Sequence, residues 1–245
     1  MHKALVYHTI CALDAPLAAD IDISPGRFEA HMRWLSRRRK RVVTLRSTLS
    51  ANSGEDLIAI TFDDGYRDNL TVALPILERY QLPMTLFVAA GFIGEEGYLA
   101  ADDLRIMASH PLVTIGSHGF SHSHLTRLPK TDARLELARS KKVLEEITNT
   151  EIDLLAYPYG DCDSEIEELS KQCGYRAAWS VWNGTNSELS RWRVPLGRND
   201  NLIRLAAKVS PFYFPVKKYL KPVRVSAAEN TTICTATRKV GESHC

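Results

Sequence analysis

Short apolar runs of strand length alternate with amphipathic segments of helical length along most of this sequence. The runs expected to form strands are rich in Val, Ile, Leu, Thr and Phe: Ala4–His8, Arg41–Leu45, Leu57–Phe62, Met84–Ala89, Val113–Ser117, Leu154–Tyr157, Ala177–Val181 and Arg193–Gly197. The expected helices lie between them: Pro25–Arg39, Asn69–Tyr80, Ala101–Ser109, Asp132–Thr148 and Ser164–Cys173. Such runs, mostly without strict alternation, are typical of strands buried on both faces of a parallel sheet. Seven or eight strand–helix units within 245 residues favour a single-domain α/β barrel over an open sheet.

Charge and apolar runs exclude several classes of partner. The 31 basic and 29 acidic residues give a net charge of +2, which offers no reason to expect nucleic acid or an anionic membrane as a partner. No apolar run is long enough to cross a bilayer, so no integral membrane segment is expected. The first twenty residues do not resemble a signal peptide, which predicts a cytoplasmic protein unless the start is truncated. We expect the barrel to occupy residues 1–212 and a mobile, polar C-terminal extension to occupy 213–245. The sequence does not indicate an oligomeric state.

Two adjacent carboxylates follow the strand predicted at Leu57–Phe62. Asp63 and Asp64 stand in the segment Thr61-Phe62-Asp63-Asp64-Gly65. Burying two carboxylates at a strand end is costly unless a metal or acid–base chemistry uses them. Adjacent side chains point in different directions, so one can bind a metal while the other faces a water molecule. The alternative is an ordinary Asp-Asp-Gly turn.

A cluster of histidines follows the strand predicted at Val113–Ser117. His118 and His122 are four residues apart in Ser117-His118-Gly119-Phe120-Ser121-His122-Ser123-His124. On one helical turn this spacing would place both imidazoles on one face, where they suit a divalent metal. His124 is out of phase with them. Together with one aspartate they supply the three protein ligands of a catalytic zinc site, and the other aspartate is left to act as a base. The odd number of cysteines, with no CxxC pair, argues against a zinc site built from cysteines.

A third segment, Ala156-Tyr157-Pro158-Tyr159-Gly160, follows the strand predicted at Leu154–Tyr157. Aromatic residues with proline and glycine form a stiff loop that is suited to walling a groove, and a backbone N–H there could donate to an oxyanion. The alternative is a packed turn.

These three segments resemble the first three motifs of the polysaccharide deacetylase family (NodB homology, carbohydrate esterase family 4). The resemblance extends from about residue 3 to about residue 200. It implies a distorted (β/α)7-type barrel and a divalent metal held by Asp64, His118 and His122, most often Zn²⁺, with Co²⁺, Ni²⁺ or Mn²⁺ as other candidates. It also implies that Asp63 is the catalytic base and that the backbone of Tyr159, beside Pro158 and Tyr157, contacts the substrate or its oxyanion. The implied partner is a carbohydrate that contains an N-acetylated amino sugar.

The sequence departs from the family pattern at two positions. Many members carry an arginine at the start of the third motif, where this chain has Ala156; Arg198 is our candidate to orient Asp63 instead. Many members also use a late histidine as the general acid, and no histidine stands between Leu125 and Ser243. His8, at the end of the first predicted strand, is our candidate for that role, although it also fits a buried, hydrogen-bonded histidine.

The sequence therefore predicts a metal-dependent carbohydrate N-deacetylase, a hydrolase acting on carbon–nitrogen bonds other than peptide bonds. Deformylation, or deacetylation of a lipid- or nucleotide-linked sugar, is a close alternative. A non-catalytic metal- or carbohydrate-binding protein is a third possibility, and Asp63 argues against it because a pure binding site does not need a base.

Overall fold

Seven parallel strands close into a barrel in the order in which they occur along the chain, with the last strand paired to the first. The structure is a computed structural model, and it describes residues 2–11, 20–38, 41–51, 55–181, 187–210 and 213. The strands are β1 (Lys3–Tyr7), β2 (Ile58–Phe62), β3 (Met84–Val88), β4 (Val113–Ser117), β5 (Leu154–Ala156), β6 (Ala177–Ser180) and β7 (Arg191–Pro195). Pairing is thin between β4 and β5, where Ser117 and Leu155 form the one registered pair. The predicted single-domain, distorted (β/α)7-type barrel is confirmed.

Helices cover the outside of the barrel. They are α1 (Pro25–Ser36), α2 (Ser47–Ser50), α3 (Leu74–Tyr80), α4 (Ala101–Ala108), α5 (Lys130–Thr148), α6 (Ser164–Gln172) and α7 (Leu202–Val209). A π-helical turn, Asn69–Ala73, leads into α3 where the sequence predicts a continuous α-helix. Helix α1 begins as its sequence suggests, with Pro25 in the first turn and the Ser24 hydroxyl accepting the Arg27 N–H. No helix in the described part of the chain is both long and apolar enough to cross a bilayer.

The strand predicted at Arg41–Leu45 is wrong. Val42 forms only an isolated bridge with Ile58, and the chain turns at Leu45–Arg46 into α2, so no eighth strand forms there. The barrel closes without it because β7 pairs directly with β1. The extension predicted at 213–245 lies outside the described residues except for Tyr213, and the boundary at 212 stays a prediction.

The barrel interior combines small and large side chains. Four buried alanines from four strands leave room for the Phe87 and Trp179 rings: Ala4, Ala59, Ala156 and Ala177. The rings of Phe87 and Trp179 lie 6.0 Å apart, and the guanidinium of Arg193 lies 5.2 Å from the centre of the Phe87 ring. Arg193 is fully buried and stands opposite Ala4 in the β1–β7 register. The interior is therefore a packed core, and within it the buried guanidinium of Arg193 lies near the carboxyl ends of the strands.

Candidate metal centre

Asp63 and Asp64 diverge at the carboxyl end of β2. The Asp63 N–H donates to the carbonyl of Tyr7 (3.0 Å), which continues the pairing with β1 for one residue beyond the strand. Asp64 then adopts a left-handed backbone (φ 72°), followed by Gly65 at φ 90°. Left-handed backbone is uncommon for a non-glycine residue, although aspartate tolerates it. The turn sends the two buried carboxylates to different partners.

His118 and His122 approach each other without forming a helical turn. The chain after β4 is a loop in which Gly119 has φ 75° and His122 has φ 56°. The imidazole centres nevertheless lie 4.9 Å apart. The prediction of a helical turn is wrong because left-handed residues interrupt the segment, and it is the curl of this loop that brings the two rings together.

The side chains of Asp64, His118 and His122 converge on one point. Oδ1 of Asp64 lies 3.4 Å from Nε2 of His118 and 3.3 Å from Nε2 of His122. Nδ1 of His118 is 2.7 Å from the carbonyl oxygen of Ala156, which can only accept, so Nδ1 carries the proton and Nε2 presents a lone pair. Oδ1 of Asp64 is buried with no hydrogen-bond partner among the described residues. Two imidazole nitrogens and a carboxylate oxygen within 4.8 Å of one another fit a divalent cation.

Burial and charge act in opposite directions on the three candidate ligands. Burial lowers the pKa of His118 to about 4, which favours the neutral imidazole that a metal requires. Burial also lowers the pKa of His122, but its contact with Asp64 raises the pKa by a larger amount. The net shift of the His122 pKa is therefore upward. For Asp64, burial raises the pKa, whereas its contact with His122 and the charges of His122 and His8 lower it, and the net pKa is well below its usual range. Asp64 is therefore ionised at neutral pH.

Arg193 holds Asp63 with two hydrogen bonds. Its two terminal nitrogens donate to Oδ1 (2.6 Å) and Oδ2 (2.7 Å), and both residues are buried. Burial alone would raise the pKa of Asp63, but the charge of Arg193, followed by that of His118, lowers it below its ordinary value. Asp63 is thus a fixed, ionised carboxylate whose Oδ2 lies 3.8 Å from Nε2 of His118.

Arg198, the residue predicted to orient Asp63, does not make this contact. Arg198 follows the end of β7, and its backbone N–H donates to the carbonyl of Asp20 (2.9 Å). Arg193 takes both oxygens of Asp63 because it points into the barrel from within β7. Sequence reasoning missed it, although a charged residue between Trp192 and Val194 in a predicted strand signals a buried partner.

The third motif divides into structural and exposed residues. The side chain of Tyr157 is buried in the core, where its hydroxyl donates to the carbonyl of Leu189 (2.8 Å) and lies 3.2 Å from Ser170 Oγ. The buried side chain of Tyr157 thus packs into the core, and the predicted contact of this residue with the substrate stays a prediction for its backbone. Pro158 is also buried, packed beside Gly119 of the histidine loop. Tyr159 (φ 60°) is half-exposed, and its ring lies 4.6 Å from that of His122 and 3.8 Å from that of His124.

His8 lies on the same side of the barrel as the aspartates. It follows β1 directly, and its carbonyl accepts the side-chain N–H of Asn69 (2.8 Å). Its charge contributes to lowering the pKa of both Asp63 and Asp64. Nδ1 of His8 is buried with no hydrogen-bond partner among the described residues. Asp63 thus lies beside the three candidate metal ligands, and His8 is near enough for its charge to act on both aspartates.

A parallel α/β barrel with an Asp–His–His cluster at the carboxyl ends of its strands defines a class of barrel proteins with a candidate divalent-metal centre. This chain belongs to the polysaccharide deacetylase family, whose family model matches residues 50–178. Protein YxkH of Bacillus subtilis (strain 168), itself named for this family, is 30% identical over 188 residues. That alignment covers 75% of this chain and 65% of YxkH, which is just under two thirds of the relative's length.

Two further proteins are similar to this chain. A poly-β-1,6-N-acetyl-D-glucosamine N-deacetylase of Staphylococcus aureus (strain MRSA252) is 26% identical over 176 residues, which cover 65% of this chain and 61% of that protein. The deacetylase PplD of Streptococcus pyogenes, solved with acetate, matches with a TM-score of 0.78 at 22% identity, over 85% of this chain and 98% of that one. The structural match confirms the fold.

Proposed function

We propose that this chain is a metal-dependent hydrolase that removes the N-acetyl group from an N-acetylated amino sugar in a glycan or glycan precursor. The observation that carries the proposal is the convergence of Asp64, His118 and His122, with the ionised Asp63 fixed beside them by Arg193. Membership of the family supports the reaction class. The name of the staphylococcal relative makes β-1,6-linked N-acetylglucosamine the first substrate to test.

Asp64, His118 and His122 would hold the cation, for which Zn²⁺ is the first candidate and Co²⁺, Ni²⁺ and Mn²⁺ are alternatives. A cation bound there would polarise the acetyl carbonyl and lower the pKa of a water molecule. The carboxylate of Asp63 would accept a proton from the attacking water as the water oxygen bonds to the carbonyl carbon. Arg193 keeps the carboxylate of Asp63 in one orientation throughout.

The remaining steps need a hydrogen-bond donor for the oxyanion and an acid for the leaving group. We assign the first role to the backbone N–H of Tyr159, in the loop beside His122. We assign the second to His8, which would protonate the amine nitrogen as the carbon–nitrogen bond breaks and acetate is released. The half-exposed ring of Tyr159, beside His122, would form one wall of the sugar-binding site.

Acetate release from a panel of N-acetylglucosamine oligomers, with and without a chelator, tests the proposal. We expect release that stops with the chelator and returns with Zn²⁺. Asp63→Asn should abolish release while metal binding persists, and Asp153→Asn, at the opposite end of the barrel, is the matched control. Equal glycan binding by the wild type and Asp63→Asn, with no acetate from either, would instead indicate a binding protein. Formate release from formylated sugars would indicate the deformylase alternative.

A further inference from the structure

Glu136, on the outer helix α5, contacts the backbone that links His118 to His122. Its Oε2 accepts the N–H groups of both Phe120 (3.0 Å) and Ser121 (2.7 Å), and its Oε1 accepts the Ser121 hydroxyl (2.9 Å). Hydrogen bonds to an ionised carboxylate are shorter and stronger than those between neutral groups. A single side chain therefore fixes the two middle peptides of the segment between the candidate ligands.

Helix α5 is itself fixed to the strand that carries His118. The hydroxyls of Ser140 on α5 and Ser117 at the end of β4 are 2.8 Å apart and buried. Ser140 follows Glu136 by four residues, so the two side chains lie on the same face of the helix. The position of Glu136 is thus set by the same strand end from which the histidine loop begins.

The segment after β3 holds the other side of this loop. The N–H of Ala90 donates to the carbonyl of Gly119 (3.1 Å), and the N–H of Gly91 donates to that of Phe120 (2.7 Å). A β-carbon on Gly91 would lie 2.7 Å from the Phe120 oxygen, so only glycine permits this approach. The backbone of Phe120 is therefore fixed on both sides: its N–H donates to Glu136, and its carbonyl accepts the N–H of Gly91.

We infer that Glu136 is a positioning residue for the metal centre: its carboxylate holds the His118–His122 loop in the curl that directs both imidazoles towards Asp64. This inference rests on the proposed metal site. His122 depends most on the loop, because it has left-handed backbone and its side chain is more exposed than that of His118. Without Glu136 the N–H groups of Phe120 and Ser121 can turn to water, and the distance between the two imidazoles is no longer fixed.

Zn²⁺ dissociation constants, measured on the full chain by competition with a chromophoric chelator, test the inference without any activity assay. Removing a group that orients metal ligands costs about 10–100-fold in affinity, so Glu136→Ala should weaken Zn²⁺ binding at least about tenfold. Glu136→Gln retains an oxygen that can accept both N–H groups and should lose less.

Glu145→Ala is the matched control. Glu145 lies on the same helix, and its Oε1 accepts the N–H of Ile152 (3.1 Å), so it caps backbone away from the histidine loop. We expect its Zn²⁺ affinity to equal that of the wild type. If Glu136→Ala does not fold, Glu136→Met retains the packing of the stem and removes both acceptors.

Unchanged Zn²⁺ affinity in the folded Ala or Met variant, with normal binding by the wild type, overturns the inference alone. Equal weakening in Glu136→Ala and Glu145→Ala also overturns it, because the effect would then be one of general stability. A wild-type chain that binds no divalent cation overturns the proposed function and this inference with it.

Discussion

The two ends of the barrel each carry an aspartate that contacts an arginine through both oxygens, and the two pairs differ in burial. At the carboxyl end, Arg193 and Asp63 are almost completely buried. At the amino end, Arg46 reaches both oxygens of Asp153 (2.7 and 2.6 Å); Asp153 is itself buried, but the arginine side chain is 39% exposed. The same chemical pair is therefore shielded from water on both sides in one place, and open to water on the arginine side in the other.

Burial makes the two pairs unequal in function. A solvated pair is screened and contributes little to stability, whereas a buried charge is costly once its partner is removed. The Arg193–Asp63 pair also lies beside the Asp–His–His cluster, so a change in its geometry alters the candidate base. The Arg46–Asp153 pair tethers α2 to the start of β5 and lies at the opposite end from the cluster. Of the two pairs, the buried one is therefore placed to orient the candidate base.

Arg193→Met should have the largest effect, because it leaves Asp63 buried and unpaired. Breaking a buried pair by removing one partner costs about 3–5 kcal/mol. Misorientation of the base should reduce acetate release by at least about a hundredfold. Denaturant unfolding and initial rates measure the two effects. The double variant Arg193→Met/Asp63→Asn should regain part of the stability and none of the activity. A single variant as stable and active as the wild type would contradict the comparison.

His31 extends the comparison to a buried group that titrates. Its Nε2 lies 2.8 Å from the carbonyl of Asp200 and its Nδ1 3.2 Å from the hydroxyl of Tyr7, which ties α1 to the ends of β1 and β7. Burial lowers its pKa from 6.5 to about 4. The unfolded chain therefore binds a proton that the folded chain excludes.

The folded chain is therefore most stable above pH 6.5, where neither state is protonated at His31, and its stability falls as the pH drops towards 4. The loss should total about 3 kcal/mol across that window, and His31→Gln, which does not titrate, should lack it. Urea unfolding of both proteins at several pH values measures the difference. Parallel stability curves for the two proteins would contradict the prediction.

Metal removal distinguishes the Asp–His–His cluster, which would bind the cation, from the Arg193–Asp63 pair, which does not. Zn²⁺ at a hundredfold excess over its dissociation constant should raise the free energy of unfolding by about 2.7 kcal/mol. The Arg193–Asp63 pair is formed by protein side chains alone and does not need the cation, so the chelated protein should remain folded. His118→Ala should show no stabilisation by Zn²⁺, whereas Arg46→Ala should show all of it. Unfolding curves with and without Zn²⁺ provide the measurement, and stabilisation of His118→Ala equal to that of the wild type would contradict it.

Arg46→Ala should have the smallest effect. Because water can reach the exposed side of this pair and solvate Asp153, the loss of Arg46 should cost less than the loss of Arg193, about 1–2 kcal/mol. Acetate release and Zn²⁺ affinity should not change. A loss of activity as large as that of Arg193→Met would show that the amino end also positions the site, and the contrast between the two ends would fail.

Much of the barrel could be predicted because its strands are local apolar runs. Residues Val113–Ser117 form β4 with the predicted bounds, and Leu57–Phe62 differs from β2 by one residue. The segment Arg41–Leu45 has comparable apolar character but does not form a strand, because the chain turns at Leu45–Arg46 after a single bridge. Local composition does not reveal whether a neighbouring strand has room to pair.

The sequence by itself determined which groups could meet at the candidate centre, because the segments containing Asp63–Asp64 and His118–His122 each follow a strand directly, and parallel strands all end on one side of a barrel. Only the tertiary structure decided how they are held. Arg193 lies 130 residues from Asp63 and reaches it because closure of the barrel places β7 beside β1. The side chain of Tyr157 lies in the core for a related reason. Which side chain at a strand end faces inwards depends on packing between segments that are distant in sequence, and local spacing does not predict that packing.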